Sequence, residues 1–425
     1  MIRSFSFENF KSFVNTTLDI EQLTIMVGAN ASGKTNAIEG IKILSELVTG
    51  RDISDILDGT KNSKGWIRGG SDACPRFNSN HFTLGCVIGY DDSTDLKYKV
   101  TIKVNEKIHI KEERLDRIIY NGEKVIVENI FCTKKLTNYS GMIKAEYSNG
   151  ENGPNPVIEC VGGNCILSQL ATKIPINSEY DKKIIGEINH VVSRLRNILF
   201  FNPEPTSMEV YSRINDVEMK PDGSNLPSVL HYLCREMKKK EKILEIIRVL
   251  PENEFEDISF DKTSIGDVMF KVKEKVGIKK YDIESEKLSY GTLRALSIVA
   301  ALLQGKERSM IIIEEVNNGI HPSRASKLID IISSVSKERN IDTLITTHNT
   351  ALLNAVDKEN LQGVVVCYRN VSSGSSKFIS LIDIEKYPTL MAKGKLGELL
   401  EKDEVNKAII NNKNKRKNCY TWMEE

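Results

Sequence analysis

Two stretches of this sequence put residues where they could do chemistry. The first is Gly28-Ala29-Asn30-Ala31-Ser32-Gly33-Lys34-Thr35, with Asn36 directly after it. It follows the apolar run Thr24 to Val27 and leads into a segment that reads helical to about Leu47. Strand, glycine loop and helix, in that order, are the context a phosphate-binding G-x-x-x-x-G-K-T loop requires. Gly28 and Gly33 let the backbone curl so that successive N–H groups, from Asn30 through Ala31, Ser32 and Gly33 to Asn36, converge on a polyphosphate. The helix that begins near Gly33 adds its positive end. Lys34 neutralises the β and γ oxygens, and the Thr35 hydroxyl serves Mg²⁺. The alternative is a turn that matches by accident, and the strand, the helix and Lys-Thr together argue against it.

The second stretch begins at Leu288-Ser289-Tyr290-Gly291-Thr292, ahead of a helix. About two dozen residues on, Met310-Ile311-Ile312-Ile313 is a strand ending in Glu314-Glu315. His321-Pro322 follows, and Leu344 to Thr347 is a second strand ending in His348. A Ser-x-Gly turn at a helix start presents a hydroxyl and N–H groups to an anionic γ-phosphate. One carboxylate at a strand end holds Mg²⁺ through a water, and its neighbour orients or deprotonates the attacking water. A histidine at the next strand end can sense the γ-phosphate. Singly, each has a plain alternative: an N-cap, a solvated sheet edge, a structurally satisfied histidine. Their order behind a phosphate loop favours phosphoryl transfer.

The elements that must carry these residues fall into an α/β pattern. Ile2 to Phe7 alternates like a strand, Phe10 to Phe13 turns, and Thr17 to Ile20 is a second strand. Asp52 to Asn80 reads as loop with short helical turns. Strand-like runs follow at Phe82–Tyr90, Leu96–Val104, Lys107–Arg114, Arg117–Tyr120 and Lys124–Val127, with an Asn121-Gly122 hairpin signal. Tyr139 to Gly163 is predicted to be an irregular excursion. Helices are predicted at Ile166–Ala171, Glu179–Asn197 and Leu226–Arg248, with one strand at Val268–Val272. After Leu288 helices and apolar strands alternate: helices at Leu293–Gln304 and Arg324–Lys337, strands at Met310–Ile313, Asp342–Thr346, Gly363–Tyr368 and Phe378–Ile382. That rhythm predicts parallel strands covered on both faces. The resulting division is a discontinuous core at 1–50 and 280–385, a β-rich insert at 51–165, a mainly helical insert at 166–279 and a tail at 386–425.

Composition narrows the partners. Lys+Arg 59 against Asp+Glu 58 leaves no bulk charge for nucleic acid, so any such surface must be local, for example Lys238–Lys242 or Lys413–Lys417. No apolar run approaches the ~20 residues of a membrane span. Arg3, Glu8 and Lys11 break any signal-peptide pattern, so a cytoplasmic location is expected. Eight cysteines without C-x-x-C pairs predict reduced, mostly buried thiols.

Taken together these motifs resemble the ABC-type ATPases of the SMC/RecF/OLD group. Asn9-Phe10-Lys11-Ser12-Phe13 looks like the N-terminal motif of that group, Gly28 to Thr35 its Walker A, and Leu288 to Thr292 its signature sequence. Ile311 to Glu315 resembles Walker B with the catalytic Glu, Asn317 to Pro322 the D-loop, and His348 the switch histidine. The resemblance implies an ABC-type ATPase head with an N-terminal antiparallel β lobe, using ATP and Mg²⁺. It implies catalytic roles for Glu315, Lys34 and His348, a metal role for Thr35 and Glu314 (through water), and a head-to-tail dimer in which Ser289 and Gly291 act in trans. Glu314 stands where the group usually has Asp, and Val316-Asn317 where it has Pro-Glu. The Q-loop glutamine has only Gln169 as a candidate, against its reading as a polar helix position. Arg68 occupies a place similar to the basic loop near the nucleotide in SMC-like heads.

Lys34 and Ser289 are 255 residues apart, and no sustained heptads fill the gap, which argues against a long coiled-coil arm. Only 77 residues follow His348, short for the Toprim nuclease domain of OLD-type nucleases. Asp383-Ile384-Glu385 could pair on a metal, or simply end a strand. Asp222 to Leu226 and Tyr387 to Gly397 look like the stand-alone ATPases of PARIS, Septu and RloA/RloB-like anti-phage and abortive-infection systems. There the effector, often a Toprim-type nuclease, is a separate polypeptide. The expected function is therefore a nucleotide-dimerised sensor and scaffold for a separate effector. The alternative is a RecF-like DNA-binding repair ATPase, recognisable by salt-sensitive duplex binding. A transporter nucleotide subunit is the third reading, disfavoured by the N-terminal motif and the β-rich insert.

Overall fold

The apolar run Leu23–Val27 is buried at every position, as expected of a central parallel strand with both faces covered. It is one part of a computed structural model that describes residues 1–60, 63–104, 107–134, 141–151, 153–249, 255–276, 278–317, 322–354, 356–370, 372–385 and 387–410. The fold is mixed α/β, as expected. Its backbone separates into two compact units: 1–20, 29–198 and 367–378 form the first, and 21–28, 199–366 and 379–425 the second.

The first unit is built on an eight-stranded sheet. In spatial order its strands are Val157–Val161, Met142–Tyr147, Lys124–Thr133, His109–Asn121, Thr94–Lys103, His81–Gly89, Ile2–Phe10 and Phe13–Asp19. Every pairing is antiparallel. Phe5, Phe7, Phe10 and Phe13 are fully buried, and the Phe7 and Phe13 rings stack at 5.1 Å. The helix Lys34–Leu47 packs closely on this aromatic layer. A Cβ at Gly40 would meet the Phe7 ring at 2.7 Å, so only glycine allows the approach. The helix Glu179–Arg196 is tied to the sheet by Arg117, whose Nε and Nη2 each donate to the buried Glu187 carboxylate at 2.7 Å.

Several expectations need correction here. Tyr139–Gly163 is not a bare excursion, because Met142–Tyr147 and Val157–Val161 form a hairpin on the sheet edge. Their alternation is short and interrupted by Asn, Gly and Pro, so the edge pairing escapes a local reading. Lys107–Arg114 and Arg117–Tyr120 are one strand, His109–Asn121, with a register shift against its neighbour between Leu115 and Asp116. The hairpin turn lies one residue later than Asn-Gly implies. Asn121 pairs with Lys124, and Gly122 at φ 61° takes the first turn position.

A second, largely buried sheet runs in the order Ile198–Phe201, Met310–Ile313, Asp342–Thr347, Leu23–Val27, Val364–Arg369 and Ser376–Ser380. Met310–Ile313, Asp342–Thr347, Leu23–Val27 and Val364–Arg369 pair in parallel. The helix Tyr290–Gln304 is buried from Gly291 to Leu303, consistent with its nearly continuous apolar sequence. The helix expected at Leu226–Arg248 is two, Leu226–Arg235 and Lys240–Arg248, broken where Lys238 takes φ 52°. The single strand expected at Val268–Val272 extends over Asp267–Val276. It pairs with Ser212–Arg213, Phe255–Lys262 and Lys279–Glu284 in a small antiparallel sheet. Those partner strands are charge-rich, and their alternation shows only once they are paired. The tail begins with three short helices, Tyr387–Met391, Leu396–Glu401 and Glu404–Ile410.

Among the described residues no helix is long and apolar enough to cross a membrane. The seven described cysteines are free, and all but Cys132 are buried.

Candidate nucleotide site

The glycine loop is held from beneath by the N-terminal motif. Asn36 donates to Ser12 Oγ at 2.8 Å, and the Ser12 carbonyl accepts from Ser376 N at 2.9 Å and Arg76 at 2.9 Å. Lys11 pairs with Glu39 on the loop's helix and donates to the Arg68 carbonyl at 3.2 Å. The Arg68 N–H returns to Glu39 at 3.3 Å, leaving the Arg68 side chain exposed. Asn9 and Lys11 both take left-handed backbone, at φ 52° and 47°. These contacts hold the first two turns of the Lys34–Leu47 helix in place.

Within the loop Ala31 sits at φ 62° and Gly33 at φ 125°. Ser32, Gly33 and Lys34 are buried, while Ala29 to Ala31 and Thr35 lie at the surface. Lys34 Nζ donates to the Ala29 carbonyl at 3.2 Å, directing its charge across the loop. The helix that starts at Lys34 has no side-chain cap and no acidic residue in its first turn. The positive end of the helix dipole is therefore not offset by a local carboxylate, which suits it to an anion such as a phosphate. Ser376 Oγ donates to the Ser32 carbonyl, closing the loop from behind. Burial pushes the nearby Cys367 thiol up to about 11, against the pull of its hydrogen bond to Ser32 and of the Lys34 charge.

Gly33 has no room for a side chain. An added Cβ would stand 2.7 Å from Ser376 Oγ, at a backbone angle that L residues avoid. Gly33→Ala is therefore expected to weaken nucleotide binding at least ~10-fold and to cost ~1–3 kcal/mol of stability. Titration with a fluorescent ATP analogue and a thermal melt check both. Wild-type affinity in this variant would count against the loop's role.

The second unit carries the carboxylates. Glu314 and Glu315 follow the buried Met310–Ile313 strand, and Glu315 takes left-handed backbone at φ 47°. For a non-glycine residue that geometry costs on the order of 1–2 kcal/mol and must be held by its surroundings. The hold is visible. Glu315 N donates to Thr346 Oγ1 at 3.0 Å, and Arg294 Nη2 donates to the carbonyls of Glu314 and Glu315, each at 3.1 Å. Arg294 Nη1 also donates to the Pro203 carbonyl at 3.1 Å. Burial lowers the Arg294 pKa, and the nearby Glu315 charge opposes that shift. His348, at the end of Asp342–Thr347, brings Nδ1 to 2.7 Å from a Glu315 carboxylate oxygen. Both side chains stay partly open to solvent, at 56% and 32%. Thr347 Oγ1 donates to Asn317 Oδ1 at 2.7 Å, fixing the chain just beyond the carboxylates. Residues 318–321, His321 included, lie outside the described residues, as does the basic run Lys413–Lys417.

Ser289 caps the Tyr290–Gln304 helix, its Oγ accepting from Thr292 N at 3.2 Å, while Tyr290 beside it is exposed. Gly291 is buried in the first turn of that helix. Gln169 is committed to structure, with both ends of its amide bonded to the backbone of Val161 at 2.9 Å. The Lys238–Lys242 run is largely engaged: Lys239 donates to the Leu303 carbonyl, Lys240 pairs with Asp257 and Lys242 with Glu338. Asp383 lies in a 3₁₀ turn after the Ser376–Ser380 strand, and no cluster of three metal-ligating side chains occurs among the described residues. Arg294, Thr346 and Ser376 escape a reading by motif, and Ser12 lies inside the motif Asn9-Phe10-Lys11-Ser12-Phe13 without a role of its own assigned there. Arg294 alone left a signal, a single cation inside the apolar run Leu293 to Leu303.

The family model of the AAA ATPase domain matches residues 1–353, most of the chain, from the N-terminal motif through His348. This chain belongs to the AAA ATPase domain family. The family implies ATP as ligand, usually with Mg²⁺, and the uncapped helix start and buried Lys34 fit that ligand. No curated protein matches this AAA ATPase domain by sequence. Among solved structures it is similar to an SmcHead bound to the C-winged helix domain of ScpA (12% identity, TM-score 0.48, covering 89% of this chain and 97% of that one). It is also similar to the SMC head domain from Thermotoga maritima (14%, 0.43, 89% and 98%). A third is the Smc head domain with an extended coiled coil, bound to the C-terminal domain of ScpA derived from Pyrococcus furiosus (13%, 0.45, 92% and 98%).

Proposed function

We propose that this AAA ATPase domain protein hydrolyses ATP between two copies of itself and uses that cycle to hold or release a separate effector in anti-phage defence. The observation that supports it most is the Glu315–His348 pair, 2.7 Å apart, in which the Glu315 backbone is locked in an unfavourable conformation. The loop N–H groups from Asn30 to Asn36 and the Lys34 ammonium bind the phosphates. Thr35, and Glu314 through a water, would hold Mg²⁺, which would supply positive charge to offset that of the phosphates. Glu315 orients the attacking water and takes its proton as the new P–O bond forms and the bond to ADP breaks. His348 positions Glu315 and senses the γ-phosphate. Ser289 and Gly291 of the second copy close over the nucleotide.

The defence role draws on the resemblance of Asp222–Leu226 and Tyr387–Gly397 to stand-alone ATPases whose effectors are separate chains. The repair alternative gains nothing from Lys239, Lys240 and Lys242, which are already paired within the protein.

Sharing of the site is testable by complementation. Ser289→Asp keeps the helix cap, since Asp caps as well as Ser, but sets a carboxylate against the γ-phosphate. Ser289→Asp and Lys34→Ala should each be inactive. An equimolar mixture should recover about a quarter of wild-type turnover, because half the dimers are mixed and each of those has one intact site. A mixture as inactive as its components would refute the trans arrangement.

A further inference from the structure

Among the described residues the strand Lys124–Thr133 is fully paired on one side only. His109–Asn121 bonds it throughout, whereas Met142–Tyr147 reaches only Phe131, Cys132 and Thr133. The remainder, Lys124-Val125-Ile126-Val127-Glu128, is a sheet edge exposed at every position. Val125, Ile126 and Val127 keep 44%, 44% and 51% of their surface in solvent. Soluble proteins usually blunt such edges with proline, a bulge or inward charge, and three consecutive β-branched residues do the reverse.

The register says which backbone groups point outward. Asn121 and Lys124 flank the two-residue turn, so they form a hydrogen-bonded pair. Alternation then turns Ile126 and Glu128 toward the neighbouring strand as well. Tyr120, opposite Val125, confirms it: the Tyr120 N–H faces away and donates to the Ser93 carbonyl at 2.8 Å. The N–H and C=O groups of Val125 and Val127 therefore face outward.

We infer that this edge joins a second copy of the chain, antiparallel, about a two-fold axis through Ile126. Read against itself in reverse, Lys-Val-Ile-Val-Glu sets Lys124 opposite Glu128, Val125 opposite Val127 and Ile126 opposite Ile126. Outward groups of Val125 then meet those of Val127 in the other copy, and all four donors and four acceptors are satisfied. Lys124 and Glu128 fall in close, non-hydrogen-bonded pairs of opposite charge. Flanking charges block edge pairing only when like meets like, and a parallel or shifted register would do that or leave them unpaired. Glu128 also accepts from Arg117 at 2.5 Å and keeps 47% of its side chain exposed, so it is held in place while still reachable. This contact is separate from the nucleotide-dependent dimer and needs no ATP.

The test is a disulfide scan on the full chain, nucleotide-free and in chelator. In the proposed register the two Ile126 Cα atoms are ~4.5 Å apart, within reach of a disulfide. Ile126→Cys should oxidise to a covalent dimer, and Val125→Cys alone should not. An equimolar mixture of Val125→Cys and Val127→Cys should cross-link to each other. In sedimentation at ~5–200 µM, a range that spans weak small interfaces, wild type should associate, and Ile126→Lys should raise the dissociation constant at least ~10-fold. A wild type that stays monomeric over that range, or equal cross-linking of Ile126→Cys and Val125→Cys, would overturn the inference.

Discussion

Glu315→Gln is expected to lower ATP turnover by about 10²–10⁴-fold while leaving ATP affinity close to wild type, because glutamine keeps the shape but cannot accept the proton of the attacking water. Glu315 stands at the C-terminal end of a buried parallel strand, with its N–H on Thr346 and its carbonyl on Arg294. Those contacts are made by the backbone, so the substitution leaves them intact. The effect should therefore fall on the chemical step, with kcat reduced and binding retained. If closure of the two copies depends on bound ATP, the variant should also lengthen the lifetime of the nucleotide-bound dimer. His348→Ala should reduce kcat less, since histidine acts on Glu315 rather than on the water. Single-turnover hydrolysis and light scattering with and without ATP read both effects. Glu315→Gln turning over within threefold of wild type would remove Glu315 from the chemistry.

Arg294→Met should be the most damaging substitution outside the phosphate loop, at a cost of ~3–5 kcal/mol of stability. Arg294 is 5% exposed, and its guanidinium supplies hydrogen bonds to three carbonyls, those of Pro203, Glu314 and Glu315. Methionine fills much of the volume but leaves these acceptors unpaired, and a hydrogen bond from a charged donor contributes ~1.5–3 kcal/mol. Arg294→Lys should recover only part of the loss, because one ammonium cannot span the positions a planar fork reaches. Loss of the fork also frees the Glu315 backbone from its left-handed conformation, so turnover should fall alongside stability. Chemical denaturation followed by fluorescence, with ATPase assays on the folded fraction, separates the two. An Arg294→Met protein that unfolds at the wild-type midpoint would show that the carbonyls find other partners.

The sequence by itself located the candidate positions for the chemistry, because each rests on a short local rule. A phosphate loop needs its glycines, Lys34 and Thr35 in fixed spacing, and a strand of Met-Ile-Ile-Ile can only be buried, so its end marks where polar residues emerge. The α/β class was legible for the same reason. Local reading failed where stability comes from pairing across the chain. Met142–Tyr147, Val157–Val161, Phe255–Lys262 and Lys279–Glu284 carry weak alternation, and only their partners make them strands. The tertiary structure alone decided that Ser12 and Ser376 brace the glycine loop, that Arg294 holds the Glu314-Glu315 turn and that Gln169 is spent on backbone. Those side chains act through carbonyls and N–H groups brought together by folding. Every residue presents such groups, so no residue type or spacing announces them in advance.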